Sequence, residues 1–122
     1  MTQKTITIAG KQVGIAYCFG TELAFHDLAD HSLENADLTD DRQAEKLIMA
    51  AIIAYYQSLE PEQEPPVNVK DLRFHSKPKE LVEALTTILS MRAEWYESPK
   101  GEATDEEPKD ESKRKYRKPK NA

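Results

Sequence analysis

Ten apolar or aromatic residues follow one another at Leu47-Ile48-Met49-Ala50-Ala51-Ile52-Ile53-Ala54-Tyr55-Tyr56, and the rest of the chain is read around them. At a helical rise the run spans about 15 Å, half a bilayer core, so it is not a membrane span. Ile and Tyr also suit a strand, but the approach decides for helix. Thr39 offers a cap, Asp40 and Asp41 suit a first turn, and Gln43-Ala44-Glu45-Lys46 are good helix formers. Pro61 ends the element, which predicts a central helix over about residues 40–59. A helix apolar on every side must be covered on every side, by the rest of this small chain or by another copy or partner.

Before it, Thr5-Ile6-Thr7-Ile8 alternates polar and apolar, as a half-buried strand does. Ala9-Gly10-Lys11-Gln12 reads as a turn, and Val13, Ile15, Tyr17 and Phe19 alternate with Gly14, Ala16 and Cys18. The pair predicts a hairpin, which is only marginally stable alone and needs a helix or further strands. Gly20-Thr21 breaks the strand, and Glu22 to Asp30 reads as a short helix with Leu23, Ala24, Phe25 and Leu28 inward. His31 to Leu38 is polar and irregular.

After the central helix, Glu60 to Pro66 is a stiff acidic connector. Val67 to Leu72 fits either an extended piece or one helical turn. Ser76-Lys77-Pro78 starts the last helix, with Pro in the first turn. Its apolar positions, Leu81, Val82, Leu85, Ile88, Leu89, Trp95 and Tyr96, follow helical spacing, with Arg92 breaking the stripe. From Glu97 on apolar side chains nearly vanish. The fold expected is therefore α+β and mostly helical: an N-terminal β-hairpin and three helices in one domain over residues 1–97, then a disordered charged C-terminal tail over 98–122.

Charge separates these regions. Residues 97–122 carry eight Lys or Arg and seven Asp or Glu, a net of +1, and residues 1–96 carry nine basic and fifteen acidic residues, a net of −6. An acidic body is a poor partner for a phosphate backbone, and the acidic run Asp105 to Glu111 opposes nucleic-acid binding by the basic run Lys113 to Lys120. Docking to a protein or simple linkage remain for the tail. The single Cys18 excludes an internal disulfide, and Met1-Thr2-Gln3-Lys4 shows no apolar signal-peptide core, so a cytoplasmic home is expected.

Candidate chemistry is sparse. His26-Asp27-Leu28-Ala29-Asp30-His31 has the composition of a metal site, but residues five apart on a helix point about 140° away from each other. His26 with Asp30, and Asp27 with His31, are better placed for ordinary surface contacts. No Gly-rich phosphate loop, paired Cys motif or nucleophile elbow occurs, so neither an enzyme nor a cofactor is expected.

The order of elements, with Ile6-Thr7-Ile8-Ala9-Gly10-Lys11 running into Tyr17-Cys18-Phe19-Gly20-Thr21-Glu22-Leu23 and the later Leu81-Val82-Glu83-Ala84-Leu85 and Ala93-Glu94-Trp95-Tyr96, resembles the tail assembly chaperones of long-tailed phages and prophages. The resemblance spans residues 5–96 and is one of layout and hydrophobic pattern. It implies a mostly helical, non-enzymatic protein in the bacterial host cytoplasm. It also implies two partners, the tape-measure protein, kept soluble, and the tail-tube protein, recruited around it. A frameshifted longer form would join at the tail. The competing expectation is a small prophage or host regulatory adaptor that binds protein or nucleic acid through its charged tail. Central helix and hairpin together suggest a homo-oligomer, with Ile6, Ile8, Val13, Ile15, Leu47, Ile48, Ile52, Ile53 and Tyr56 as the candidate interaction surface.

Overall fold

The computed structural model describes residues 1–97; the expected tail over 98–122 lies outside the described residues. Strands β1 (Thr2–Ile8) and β2 (Lys11–Tyr17) pair antiparallel, from Thr2 opposite Tyr17 to Ile8 opposite Lys11. The turn is two residues, Ala9 and Gly10, both with positive φ (54° and 77°). Such a turn matches the right-handed strand twist, and Gly10 meets its demand at no steric cost. Ala9 has no such freedom, so its position is locally strained. The strand begins earlier than the alternation suggested, because Thr2, Gln3 and Lys4 still pair with Tyr17, Ala16 and Ile15, although Gln3 and Lys4 are exposed.

Helix α1 (Phe19–Ala29) starts three residues before the expected Glu22, capped at Cys18 rather than within Gly20-Thr21. Thr21 is buried and joins strand to helix: its hydroxyl donates to the Ala16 carbonyl at 2.8 Å and accepts the Cys18 N–H at 3.2 Å. Asp30 then turns left-handed (φ 69°) and ends the helix. His31 swings across Phe25, ring centroids 5.7 Å apart, and its Nδ1 lies 3.0 Å from the Ser32 carbonyl. The Asp27–His31 pairing expected of a continuing helix is therefore not made. A short 3-10 turn, Leu33–Asn35, follows.

Helix α2 (Asp41–Gln57) is the central helix, capped by Asp40, whose carboxylate accepts the Arg42 N–H at 2.9 Å; the expected cap Thr39 instead bonds Asp37. Residues 67–72, left open between two conformations, contribute to helix α3 (Val69–Phe74). Asn68 and Asp71 cap it reciprocally, each side chain taking the other's backbone N–H. Helix α4 (Pro78–Glu97) is last. Hairpin plus helices is the architecture expected, with α3 as an added helix among the described residues.

The core lies where α2 meets its neighbours. It packs against α1, β2, α4 and α3, while α4 also lies on both strands. Gly14 makes the approach of α2 to β2 possible. A Cβ there would sit 2.3 Å from the Tyr55 ring, so a side chain at this position would displace that ring from the hairpin. The adjacent Tyr56 hydroxyl accepts the Gly14 N–H at 3.1 Å. At the far end of the hairpin, Glu80 accepts the N–H groups of Lys77 and Gly10, tying the start of α4 to the turn. These bonds hold the Glu80 carboxyl below its usual range, the Lys77 N–H contributing most.

This packing corrects the candidate interaction surface. Ile6, Ile8, Val13, Ile15, Leu47, Ile48 and Ile52 are buried within the chain's own core. Ile53 and Tyr56 are half-buried and pack against the same core. The physical reason is that α2 lies along the outer edge of β2 and is closed in by α1 and α4, so its apolar circumference is satisfied within one chain.

Candidate functional site

Apolar surface that the core does not use lies on α4. Ala84, Ile88 and Met91 form the row enclosed by the hairpin and α2. Val82, Leu89 and Tyr96 form a second row, seven residues apart, and are 64, 37 and 55% exposed. That spacing keeps side chains within about 20° of one line per step, so the row is a continuous seam roughly 21 Å long. Leu85, half-buried, lies between Val82 and Leu89 on the same side. With Arg92 in the equivalent place one heptad later, the positions follow the three-four spacing of a helix-pairing surface.

At its N-terminal end the seam opens into a groove of about 500 Å³ between α2, α3 and α4. Ile48, Leu72, Leu81, Val82 and Leu85 supply its apolar lining, with Asp41, Glu45 and Arg73 toward the α2–α3 side. Glu45 and Arg73 form a two-pronged ion pair, 2.7 and 2.8 Å, which fixes α3 against α2 and so sets that wall. The Glu45 carboxylate raises the Arg73 guanidinium pKa further above its ordinary value. Groove size and lining suit apolar side chains with a few orienting polar groups.

At the C-terminal end a smaller cavity, about 220 Å³, lies between Tyr96 and α1, lined by Phe19, Glu22, Leu23, His26, Leu33 and Glu34 among others. Phe19 and Leu23 stand one helical turn apart there, 63 and 50% exposed. The cavity floor is braced by Glu22, whose Oε2 accepts both the Tyr17 hydroxyl at 2.9 Å and the Tyr96 hydroxyl. Burial, aided by the Glu22 carboxylate, pushes the Tyr17 phenol well above its ordinary range, and the Glu22 hydrogen bond raises the Tyr96 phenol. Both rings stay neutral donors. Arg92 sits over the Tyr96 ring at 5.1 Å, and Trp95 meets Tyr17 at 5.6 Å. Thus the break in the stripe at Arg92 is filled by a cation–aromatic contact.

Of the sequence-derived candidates only Ile48 lines the groove; the others are inside or beside the core. Val82, Leu89, Phe19 and Leu23 were missed as surface, and Leu72, Leu81 and Leu85 as groove lining. The usable signal was the width of the α4 stripe, since Leu81 with Val82 and Ile88 with Leu89 are adjacent pairs that no single buried line accommodates. Among the described residues no group of three or more His, Cys, Asp or Glu is placed to hold a metal, and no helix is long and apolar enough to cross a membrane. No family model, curated protein or solved structure matches the chain.

Proposed function

We propose that the chain is a non-enzymatic client-binding protein that takes an amphipathic helix along the exposed seam of α4. Apolar side chains of the client seat in the groove by Val82 and Leu85 and in the cavity by Tyr96. The observation that carries this is the heptad-spaced row Val82, Leu89 and Tyr96, left exposed while its neighbours Ala84, Ile88 and Met91 are enclosed. A helix laid in such a seam is read through anchors at i, i+3 and i+7. The acidic body, −6 over residues 1–96, favours clients with Lys or Arg flanking the apolar stripe and keeps the unloaded chain soluble.

The layout resemblance gives the client a name. In this reading the protein is a tail assembly chaperone in the bacterial cytoplasm, the long helical tape-measure protein is the client, and tail-tube subunits are recruited to the pair. Co-expression with the tape-measure protein from the same genome tests it. The expected result is a soluble complex from which both proteins co-purify, with the tape-measure protein aggregating when expressed alone. An aggregated tape-measure protein in both cases, with a nucleic acid or host factor bound through residues 98–122, would favour the regulatory adaptor instead.

A further inference from the structure

The hairpin has two outer edges, and only one is built over. Closure by Ile8 and Lys11 around two residues makes Ile8–Lys11, Ile6–Val13, Lys4–Ile15 and Thr2–Tyr17 the hydrogen-bonded pairs. Backbone groups of Gln12, Gly14 and Ala16 on β2, and of Gln3, Thr5 and Thr7 on β1, then point away from the hairpin. Two contacts fix this polarity independently: the Gly14 N–H donates to the Tyr56 hydroxyl, and the Ala16 carbonyl accepts from Thr21. The β2 edge is thereby occupied at Gly14 and Ala16, where α2 and the start of α1 meet it. On β1 no hydrogen bond among the described residues reaches the outward backbone groups, and Gln3, Lys4 and Thr5 are exposed.

We propose that the β1 edge pairs with β1 of a second copy, antiparallel, about a two-fold axis through Thr5. The register follows from the strand. Thr5 faces its own counterpart and Gln3 faces Thr7, so every outward group of β1 is used, giving roughly six backbone hydrogen bonds at two per pair. Lys4 falls opposite Ile6 of the other copy, where its aliphatic stem covers the least enclosed isoleucine of the hairpin (8% exposed) and no like charges meet. Centring one residue earlier sets Lys4 against its twin, and centring one residue later sends Gln3 to the turn. The product is a four-stranded sheet, in place of a two-stranded ribbon that is marginal by itself. An exposed edge without Pro or bulge is open to such pairing. The proposed pairing uses no residue of the α4 seam.

Sedimentation of the full chain from about 1 to about 100 µM tests this, because a dimer gains population with concentration. The expected mass at the upper end is twice 13.9 kDa. Thr5→Pro removes an N–H that serves no bond within the hairpin and should weaken the dimer at least about tenfold. Thr5→Lys and Thr5→Glu should each weaken it similarly by placing like charges across the axis, and an equimolar mixture should restore it as a heterodimer. That mixture decides the matter should Thr5→Pro disturb folding. A monomer throughout would overturn the proposal and leave the edge open to an extended segment of another protein. A dimer untouched by all three substitutions would overturn it too.

Discussion

On α4, Ala84, Ile88 and Met91 are enclosed, while Val82, Leu89 and Tyr96 of the same helix, no less apolar, stay in solvent. Both rows satisfy helical periodicity, so amphipathicity alone does not separate them. What separates them is the reach of the rest of the chain. The hairpin and α2 cover an arc of α4 through Ala84, Ile88 and Met91. α3, held to α2 by Arg73 and Glu45, stops at the mouth of the groove and leaves Val82 uncovered. A helix carrying more apolar surface than its own fold encloses is equipped to meet another helix.

The sharpest test of the contrast is to truncate one residue from each row. Ile88→Ala empties a fully buried site and should cost about 3 kcal/mol in denaturant unfolding, with an unchanged slope. Val82→Ser should stay within about 0.5 kcal/mol of the unsubstituted chain, because that side chain has little burial to lose. Equal losses at the two positions would abolish the distinction between the rows.

A smaller effect is expected where α4 meets α1. Glu22→Ala leaves the buried Tyr17 hydroxyl without its partner and should destabilise by about 1–3 kcal/mol. Trp95, which meets the Tyr17 ring, is the only tryptophan and reports the change by fluorescence. The Tyr17 pKa is raised in the folded state, so its contribution is full below about pH 10 and declines as the pH rises above it, where the unfolded chain ionises first. Tyr17→Phe should remove that part of the alkaline loss.

Much of this fold was legible in the sequence. Alternation around a Gly-containing turn marked the hairpin, and the unbroken run from Leu47 to Tyr56 with its acidic approach marked α2. Pro78 and the spacing of Leu81, Leu85 and Ile88 marked α4. The surface was less legible. From sequence, the long run of α2 looked too apolar for its few neighbours to cover. Its enclosure depends on a contact that periodicity does not encode, Tyr55 lying on the bare backbone of Gly14. The same packing that removes Ile48 and Ile52 from the surface leaves α4 partly uncovered, so the candidate surface moved from one helix to the other. Helix α3 was undecided because six residues carry too little pattern, and its capping pair Asn68 and Asp71 settles the matter.

The smallest effect concerns the tie between α4 and the hairpin turn. Glu80 has a folded-state pKa below its ordinary 4.5, so its stabilisation is full above that pH and is lost as the pH falls through the lower folded value. Glu80→Gln should flatten the acid limb of the stability curve while leaving client binding at neutral pH unchanged. A pH profile identical to that of the unsubstituted chain would remove Glu80 from the account.

Binding and stability are read together in one double variant, Val82→Asp with Leu89→Asp. Calorimetric titration with an amphipathic helical segment of the tape-measure protein should show affinity reduced at least about a hundredfold, since a charge placed in each anchor position must be desolvated on binding. Thermal unfolding of the same protein should shift by no more than a few degrees, because both side chains lie outside the core. Undiminished affinity, with folding intact, would contradict the assignment of the α4 seam as the client surface.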